Sequence, residues 1–365
     1  MKILQINKLY YPIIGGVETT TQVIAEGLNN QDNLTVDVLV CQLKGPRKIE
    51  KINGIKIYRA ASWGKLLGMP LSLDFFKLFR QLYRQYDLIL IHHPFPLIFL
   101  VFPFIKKTRI IIYYHSNIVR QKISKLFFLP FIKLGLKQAE KILVGGQNLI
   151  TYSPLLKRYQ NKCVIIPFSL DLENYLITPQ IQEEAQKIKQ QYPGPLILSV
   201  GRLVYYKGFK YLITAIKEIQ AHLIIIGQGP EKKKLAGLIK KHNLNHKVYL
   251  INHVPNLKPF YVACDLFVLP ACAPSEAFGL VQLEAMAFAK PVINTNLPTA
   301  VPEVSLDQKT GLTVPIKNSL ALAGAINKII NNQQLKNQLG QTAVDRVCRI
   351  FNRKTFLKKL KENLS

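Results

Sequence analysis

Acidic residues are scarce in this chain: 21 Asp and Glu stand against 49 Lys and Arg over 365 residues, a formal net charge of +28. Such an excess demands a negatively charged partner or surface. No RNP sequence or zinc-finger spacing accompanies it, so nucleic acid is not the expected partner. The five cysteines (Cys41, Cys163, Cys264, Cys272 and Cys348) are scattered, odd in number and without a C-x-x-C pair. That excludes a disulfide framework and a zinc site, and it points to a reducing, cytoplasmic compartment. No apolar run meets the ~20 residues of a membrane-spanning helix. The nearest, residues 87–105, contains His92, His93, Pro94, Pro96 and Pro103, and reads as a buried strand at 88–91 followed by a buried helix. The apolar run within residues 1–8 is too short for a signal peptide and reads as a first strand. A G-x-G-x-x-G fingerprint is missing, as is any period of 20–50 residues that would mark a solenoid.

What is present is apolar and alternating. Hydrophobic residues make up 48% of the chain, and 365 residues exceed one ordinary core, so two domains are expected. Strand-like runs at 35–41, 55–58, 88–91, 109–114 and 141–145 alternate with helix-like runs, as in a parallel sheet covered by helices. The pattern lapses between Ser169 and Pro195, where a polar helix-like run at 180–191 marks a linker. It resumes at 196–200, 223–226, 247–251, 265–269 and 291–294, and a short amphipathic helix follows at 355–361. The expected fold is α/β with two Rossmann-like domains, residues 1–172 and 173–345, and a terminal segment, 346–365.

The densest chemistry lies in Ser275-Glu276-Ala277-Phe278-Gly279-Leu280-Val281-Gln282-Leu283-Glu284. A short apolar strand precedes it and helical spacing follows from Leu280, so a polar turn joins a strand's carboxyl end to a helix start. Open α/β sheets place ligands there, because the first amides of a helix have no partner within it. Two carboxylates flanking free amides suit a polyhydroxyl ligand that also bears phosphate. The plainer reading is a glutamate serving only as a partner of the helix dipole. Two further turns are of the same kind. Gly15-Gly16-Val17-Glu18 opens a helix after the first strand. Arg202 and Lys207 follow the strand at 196–200, although a cation pair at this distance is common in so basic a chain. His115 ends the strand at 109–114, where a structural hydrogen-bonding role is the commoner one.

Glu276 and Glu284, with Phe278-Gly279-Leu280 between them, resemble the E-x7-E signature of the retaining GT-B glycosyltransferases, glycosyltransferase family 4. The resemblance spans nearly the whole chain and is strongest from Pro195 to Pro315; Asn296-Leu297-Pro298-Thr299-Ala300-Val301-Pro302-Glu303 is similar to bacterial O-antigen and exopolysaccharide mannosyltransferases. It implies two Rossmann-like domains facing a cleft, the first on the acceptor side, with the terminal helix crossing back to the first. It also implies catalytic roles for His115 and Glu276. Donor diphosphate contacts fall to Gly15, Gly16, Arg202, Lys207, Gly279 and Leu280, and sugar contacts to Glu276, Phe278 and Gly279. Glu284 would hold the ribose, and Val254 the nucleobase. Where many relatives have Asp after His-Ser, this chain has Asn117.

The activity so implied is transfer of a hexose, mannose or similar, from a GDP- or UDP-linked sugar to a glycan or polyprenyl-diphosphate-linked acceptor in surface glycan synthesis. No Asp-x-Asp triplet occurs, so diphosphate neutralisation is expected from cations and helix amides, without metal or cofactor. A nucleotide-sugar epimerase on the same architecture is an alternative, as is a noncatalytic basic protein binding lipid or nucleic acid. Positive charge gathers at Lys44, Arg47, Lys48 and Lys51, at Lys65, Lys77, Arg80 and Arg84, and at Arg120, Lys122, Lys125, Lys133 and Lys137. The last group is interleaved with Ile123, Leu126, Phe127, Phe128, Leu129, Phe131, Ile132 and Leu134. It suits an anionic lipid surface at the inner face of the cell membrane, or else a core helix with a solvated basic face.

Overall fold

Uninterrupted apolar runs such as Leu88-Ile89-Leu90-Ile91 and Ile110-Ile111-Ile112 have no polar face to offer water. They become interior strands of parallel sheets covered on both sides. A computed structural model describes all residues but Ile14, Asn30, Asp32, Leu67, Gly68, Lys106, Lys107 and 118–121; the side chains of Leu66 and 122–125 are likewise not described. Ile14 of the Gly-Gly turn and Arg120 of the basic stretch, with the side chains of Lys122, Ile123 and Lys125, therefore lie outside the described residues.

The chain divides into two compact units, Met1–Phe168 with Phe356–Ser365, and Ser169–Thr355. The first is built on β1 (Lys2–Ile6), β2 (Thr35–Cys41), β3 (Lys48–Ile52), β4 (Ile55–Ala60), β5 (Leu88–His93), β6 (Arg109–Tyr114), β7 (Lys141–Val144) and β8 (Cys163–Ile165). Their order is β8-β7-β6-β5-β1-β2-β4-β3, parallel except for the pair β3 and β4. Chain direction across the sheet reverses at β1, whose neighbours are β2 and β5. β3 was not legible in sequence. It is an antiparallel edge, Lys-Ile-Glu-Lys-Ile, mostly exposed and guarded by its lysines.

The second unit carries β9 (Leu196–Val200), β10 (His222–Ile226), β11 (Val248–Ile251), β12 (Leu266–Val268), β13 (Val292–Thr295) and β14 (Gly311–Val314). All pairs are parallel in the order β11-β10-β9-β12-β13-β14. Numbered within the unit this is 3-2-1-4-5-6, the doubly wound order whose ligand crevice opens beyond the carboxyl ends of β9 and β12.

Two stretches differ from the sequence reading. The run after β5 is a 3-10 helix, Pro96–Phe104, with Pro103 inside it; repeated prolines leave too few amide donors for an α-helix. The presumed linker holds a packed helix, Pro179–Gln191, which Thr178 caps through the Ile181 amide and which buries Ile181 and Ala185 in the second unit.

The terminal helix, Arg353–Leu364, presents Phe356, Leu360 and Leu364 at helical spacing, all buried. Its Leu357 side chain lies where a Cβ on Gly27 would stand, 2.6 Å away. Lys141 and Arg109 reach the carbonyls of Asn363 and Ser365 at 3.1 and 2.8 Å. Leu360→Ala is therefore expected to cost the first unit about 2–5 kcal/mol, read as a lower urea midpoint at unchanged slope. A loss under 1 kcal/mol would show that the helix is dispensable.

Candidate functional site

Two loops leave the sheet of the second unit at its switch point, one after β9 and one after β12. Gly208 decides how closely they approach. Its φ is +70°, and a Cβ there would stand 1.9 Å from the Pro270 carbonyl oxygen, so no other residue fits without moving backbone. The Cys272 amide donates to the Tyr206 carbonyl at 2.8 Å, closing the same seam. Lys207 is thereby set against Glu276: Nζ lies 2.7 Å from Oε2, with each side chain only 10% exposed. The contact is one of charge and proximity, since Oε2 makes no directed hydrogen bond among the described residues.

Glu284 lies eight residues further, in the helix Leu280–Ala287. Tyr261 donates to its Oε2 at 2.8 Å. Desolvation raises the Glu284 carboxyl above its ordinary value, opposed by the Tyr261 hydroxyl and by the charge of Lys207. Gly279 caps the helix with φ +75°, and a Cβ there would meet Leu269 at 2.6 Å and Gln282 at 2.8 Å. Leu280 is the first helical residue, so its amide has no intrahelical acceptor. Phe278 is buried and meets Phe351 edge-on, at 6.0 Å between centroids, and its carbonyl accepts from Gln282 Nε2 at 3.1 Å. Arg202 is exposed, and no ion pair among the described residues involves it. Val254 is half-buried in the loop after β11.

A buried network, invisible to local spacing, holds this helix in place. Asn294 on β13 donates to Gln282 Oε1 at 2.9 Å and to the Val301 and Ser305 carbonyls at 3.1 and 3.0 Å, while accepting from Thr313 at 2.7 Å. It ties the 296–303 segment to the helix that bears Glu284.

The first unit has its own polar centre beside its switch point. His92 Nε2 meets Gln5 Oε1 at 2.8 Å, and His92 Nδ1 meets His115 Nε2 at 2.8 Å. With the Gln5 oxygen accepting, the chain of donors runs one way: His115 Nε2–H to His92 Nδ1, and His92 Nε2–H to Gln5. His115 Nδ1 is then left as an acceptor. The His115 ring stacks between Tyr113 and Phe168, with centroids at 4.6 and 5.1 Å. Asn117, standing where Asp is common, accepts from Tyr114 and Ser153 hydroxyls at 2.9 and 2.8 Å. Gly15 and Gly16 begin the helix Gly16–Leu28, and the Glu18 carboxylate covers Gly15, 2.3 Å from where a Cβ would be. His92 and Gln5 were missed in sequence because they are 87 residues apart.

Among the described residues, no group of three His, Cys, Asp or Glu is placed to hold a metal ion. No helix among them is long and apolar enough to cross a membrane.

Burial pushes the imidazoles of His92 and His93 down to about 3, and that of His115 well below its ordinary 6.5. All three are neutral when folded and protonate once unfolded. Their contribution to stability is therefore complete above about pH 6.5 and is lost as pH falls below it, toward about 3 for His92 and His93, by up to ~1.4 kcal/mol per pH unit for each histidine. Urea midpoints of the first unit, followed by circular dichroism, are expected to drop between about pH 7.5 and 5.5. His93→Phe should flatten that slope, because neither His93 nitrogen has a partner among the described residues. A midpoint insensitive to pH would refute the neutral cluster.

The family model described as Glycosyltransferase Family 4 matches residues 14–174, and that described as Glycosyl transferases group 1 matches residues 180–346. The chain is 28% identical to the O-antigen chain mannosyltransferase C of Escherichia coli over 96% of its length and 94% of the relative's. It is 27% identical to the D-rhamnosyltransferase WbpZ of Pseudomonas aeruginosa, over 96% and 92%. Among solved structures, HepE of Anabaena, crystallised with UDP, superposes with a TM-score of 0.82 at 21% identity, covering 100% of this chain and 99% of that one.

Proposed function

Since the chain is a glycosyltransferase of the GT-B fold, related to family 4 and to bacterial O-antigen transferases, we propose that it is a retaining hexosyltransferase. Its donor is a nucleotide-diphosphate sugar, with mannose or a close relative as the hexose, and its acceptor is a glycan or polyprenyl-diphosphate-linked glycan of a surface polymer. The observation that carries this reading is the Lys207–Glu276 pair at the switch point, beside the free amides of the helix that bears Glu284.

A donor diphosphate supplies what this pair lacks. Its oxyanions offer Lys207 better-directed acceptors than Glu276 Oε2 does, and Arg202 and the Gly279 and Leu280 amides add to the cradle. As the bond from the anomeric carbon to phosphate breaks, negative charge grows on the leaving diphosphate, where these donors stabilise it. Glu276, released from Lys207, accepts from sugar hydroxyls. Glu284, held by Tyr261, accepts from ribose hydroxyls, and Val254 borders the base. His115 stays neutral and offers Nδ1 as an acceptor, so its role is to orient a hydroxyl and not to donate a proton. Gly15 and Gly16 can serve a phosphate only once the Glu18 carboxylate swings away. The names of the full-length relatives support the sugar class, and the basic surface supports an anionic, lipid-linked acceptor at the inner face of the membrane.

The two glutamates are expected to separate in steady-state kinetics. Glu276→Gln should lower kcat at least ~10-fold, about 1.4 kcal/mol, because its contact matters as the sugar is distorted. It should not weaken binding of the nucleoside diphosphate alone, since it frees Lys207. Glu284→Gln should raise KM for the donor by a comparable factor, its ribose contact being the same before and during transfer. Identical signatures for the two folded variants, or full kcat in Glu276→Gln, would overturn these roles. Lys207→Ala should weaken calorimetric diphosphate binding by roughly 1.5–3 kcal/mol; unchanged affinity would remove the clamp.

A further inference from the structure

The chain has a single tryptophan, and the fold spends it on the surface: Trp63 is 70% exposed. Tryptophan is among the residues most strongly buried on average, so such exposure calls for a partner. Trp63 stands on a short antiparallel hairpin of the first unit. Its amide donates to the Leu71 carbonyl at 3.1 Å, and the Leu71 amide to Gly64 at 2.8 Å. Leu71 and Leu73, just beyond the returning strand Met69–Pro70, are also exposed, Leu73 at 68%. Trp63 and Leu73 line a groove of about 410 Å³ with Lys44, Pro46, Ser62 and Asp74.

The charge around this groove is one-sided. From Leu43 to Lys77 there are eight Lys and Arg against two acids, Glu50 and Asp74. Both acids are already engaged, Asp74 by Arg47, and Glu50 by Lys48 and Arg59. Lys44 and Lys65 are exposed and join no ion pair among the described residues. An indole that is apolar at its rim and polar at one nitrogen, two leucines and uncompensated lysines on one hairpin are the parts that seat at a bilayer's headgroup boundary. The helix Lys122–Gln138, by contrast, turns Phe128, Ile132 and Leu136 inward and leaves Leu126 and Phe127 exposed.

We propose that the Trp63 hairpin is the face by which the protein docks on an anionic lipid bilayer. The proposal rests on the membrane-side reading above but names a different surface from the helix that the sequence singles out. Docking puts Trp63 and Leu73 at the boundary between headgroups and acyl chains, with Lys44 and Lys65 on lipid phosphates.

The lone tryptophan reports on this directly. With vesicles containing phosphatidylglycerol, emission of the full-length protein should shift to shorter wavelength and be quenched by chain-brominated lipid; neutral phosphatidylcholine vesicles should do neither. Lys44→Ser with Lys65→Ser should reduce vesicle sedimentation about tenfold or more, and Trp63→Ser should do likewise, with circular dichroism unchanged. Leu126→Ser with Phe127→Ser should sediment as before. If the protein sediments with anionic vesicles while emission stays put, or if only the Leu126/Phe127 variant fails to bind, this face is wrong and membrane association stands. If it binds neither vesicle, both fall.

Discussion

The approach of the Gly208 backbone to the Pro270 carbonyl, closer than any side chain permits, is the constraint on which the second unit's chemistry depends. It draws the loop after β9 onto the loop after β12, and Lys207 and Glu276 meet because of it. A buried ion pair of this kind adds little net stability, since both charges lose water to form it. Its value lies in poise. Each partner is desolvated and held in place by the other, and in the function proposed above a donor would replace the contact with phosphate oxygens for the lysine and hydroxyls for the glutamate.

The first unit solves a different problem with neutral groups. Three imidazoles are buried, and burial holds them uncharged. Between Gln5 and His115 the hydrogen bonds have a direction, set at one end by an amide oxygen that can only accept. A residue on the first strand thereby decides which nitrogen of a histidine beyond the sixth strand carries its proton. The His115 ring is therefore fixed in orientation and carries no charge near neutral pH.

The sequence made legible what is local. Continuous apolar runs announced the inner strands, and a polar turn between strand and helix announced Glu276, Gly279 and Glu284. Edge strand β3 stayed hidden because lysines and glutamate break its alternation, and β8 because three residues carry too little pattern. Strand β14 is not among the strand-like runs read from the sequence; its Gly311 is pressed against β13. In the site, Tyr261 and Asn294 escaped notice because each acts through a partner 12 or more residues away: Tyr261 on Glu284, Asn294 on Gln282. Such pairings are written in the topology of the sheet, and a linear reading has no access to them until strand order is known.

The terminal helix has a consequence for the birth of the molecule. Phe356, Leu360 and Leu364 complete the core of a unit whose other residues precede Ser169. A ribosome must therefore make the whole of Ser169–Thr355 before the last piece of the first unit emerges, which at ~5–20 residues per second takes on the order of 10–40 s. During that interval the apolar seat beside Gly27, which Leu357 fills in the folded protein, stays open.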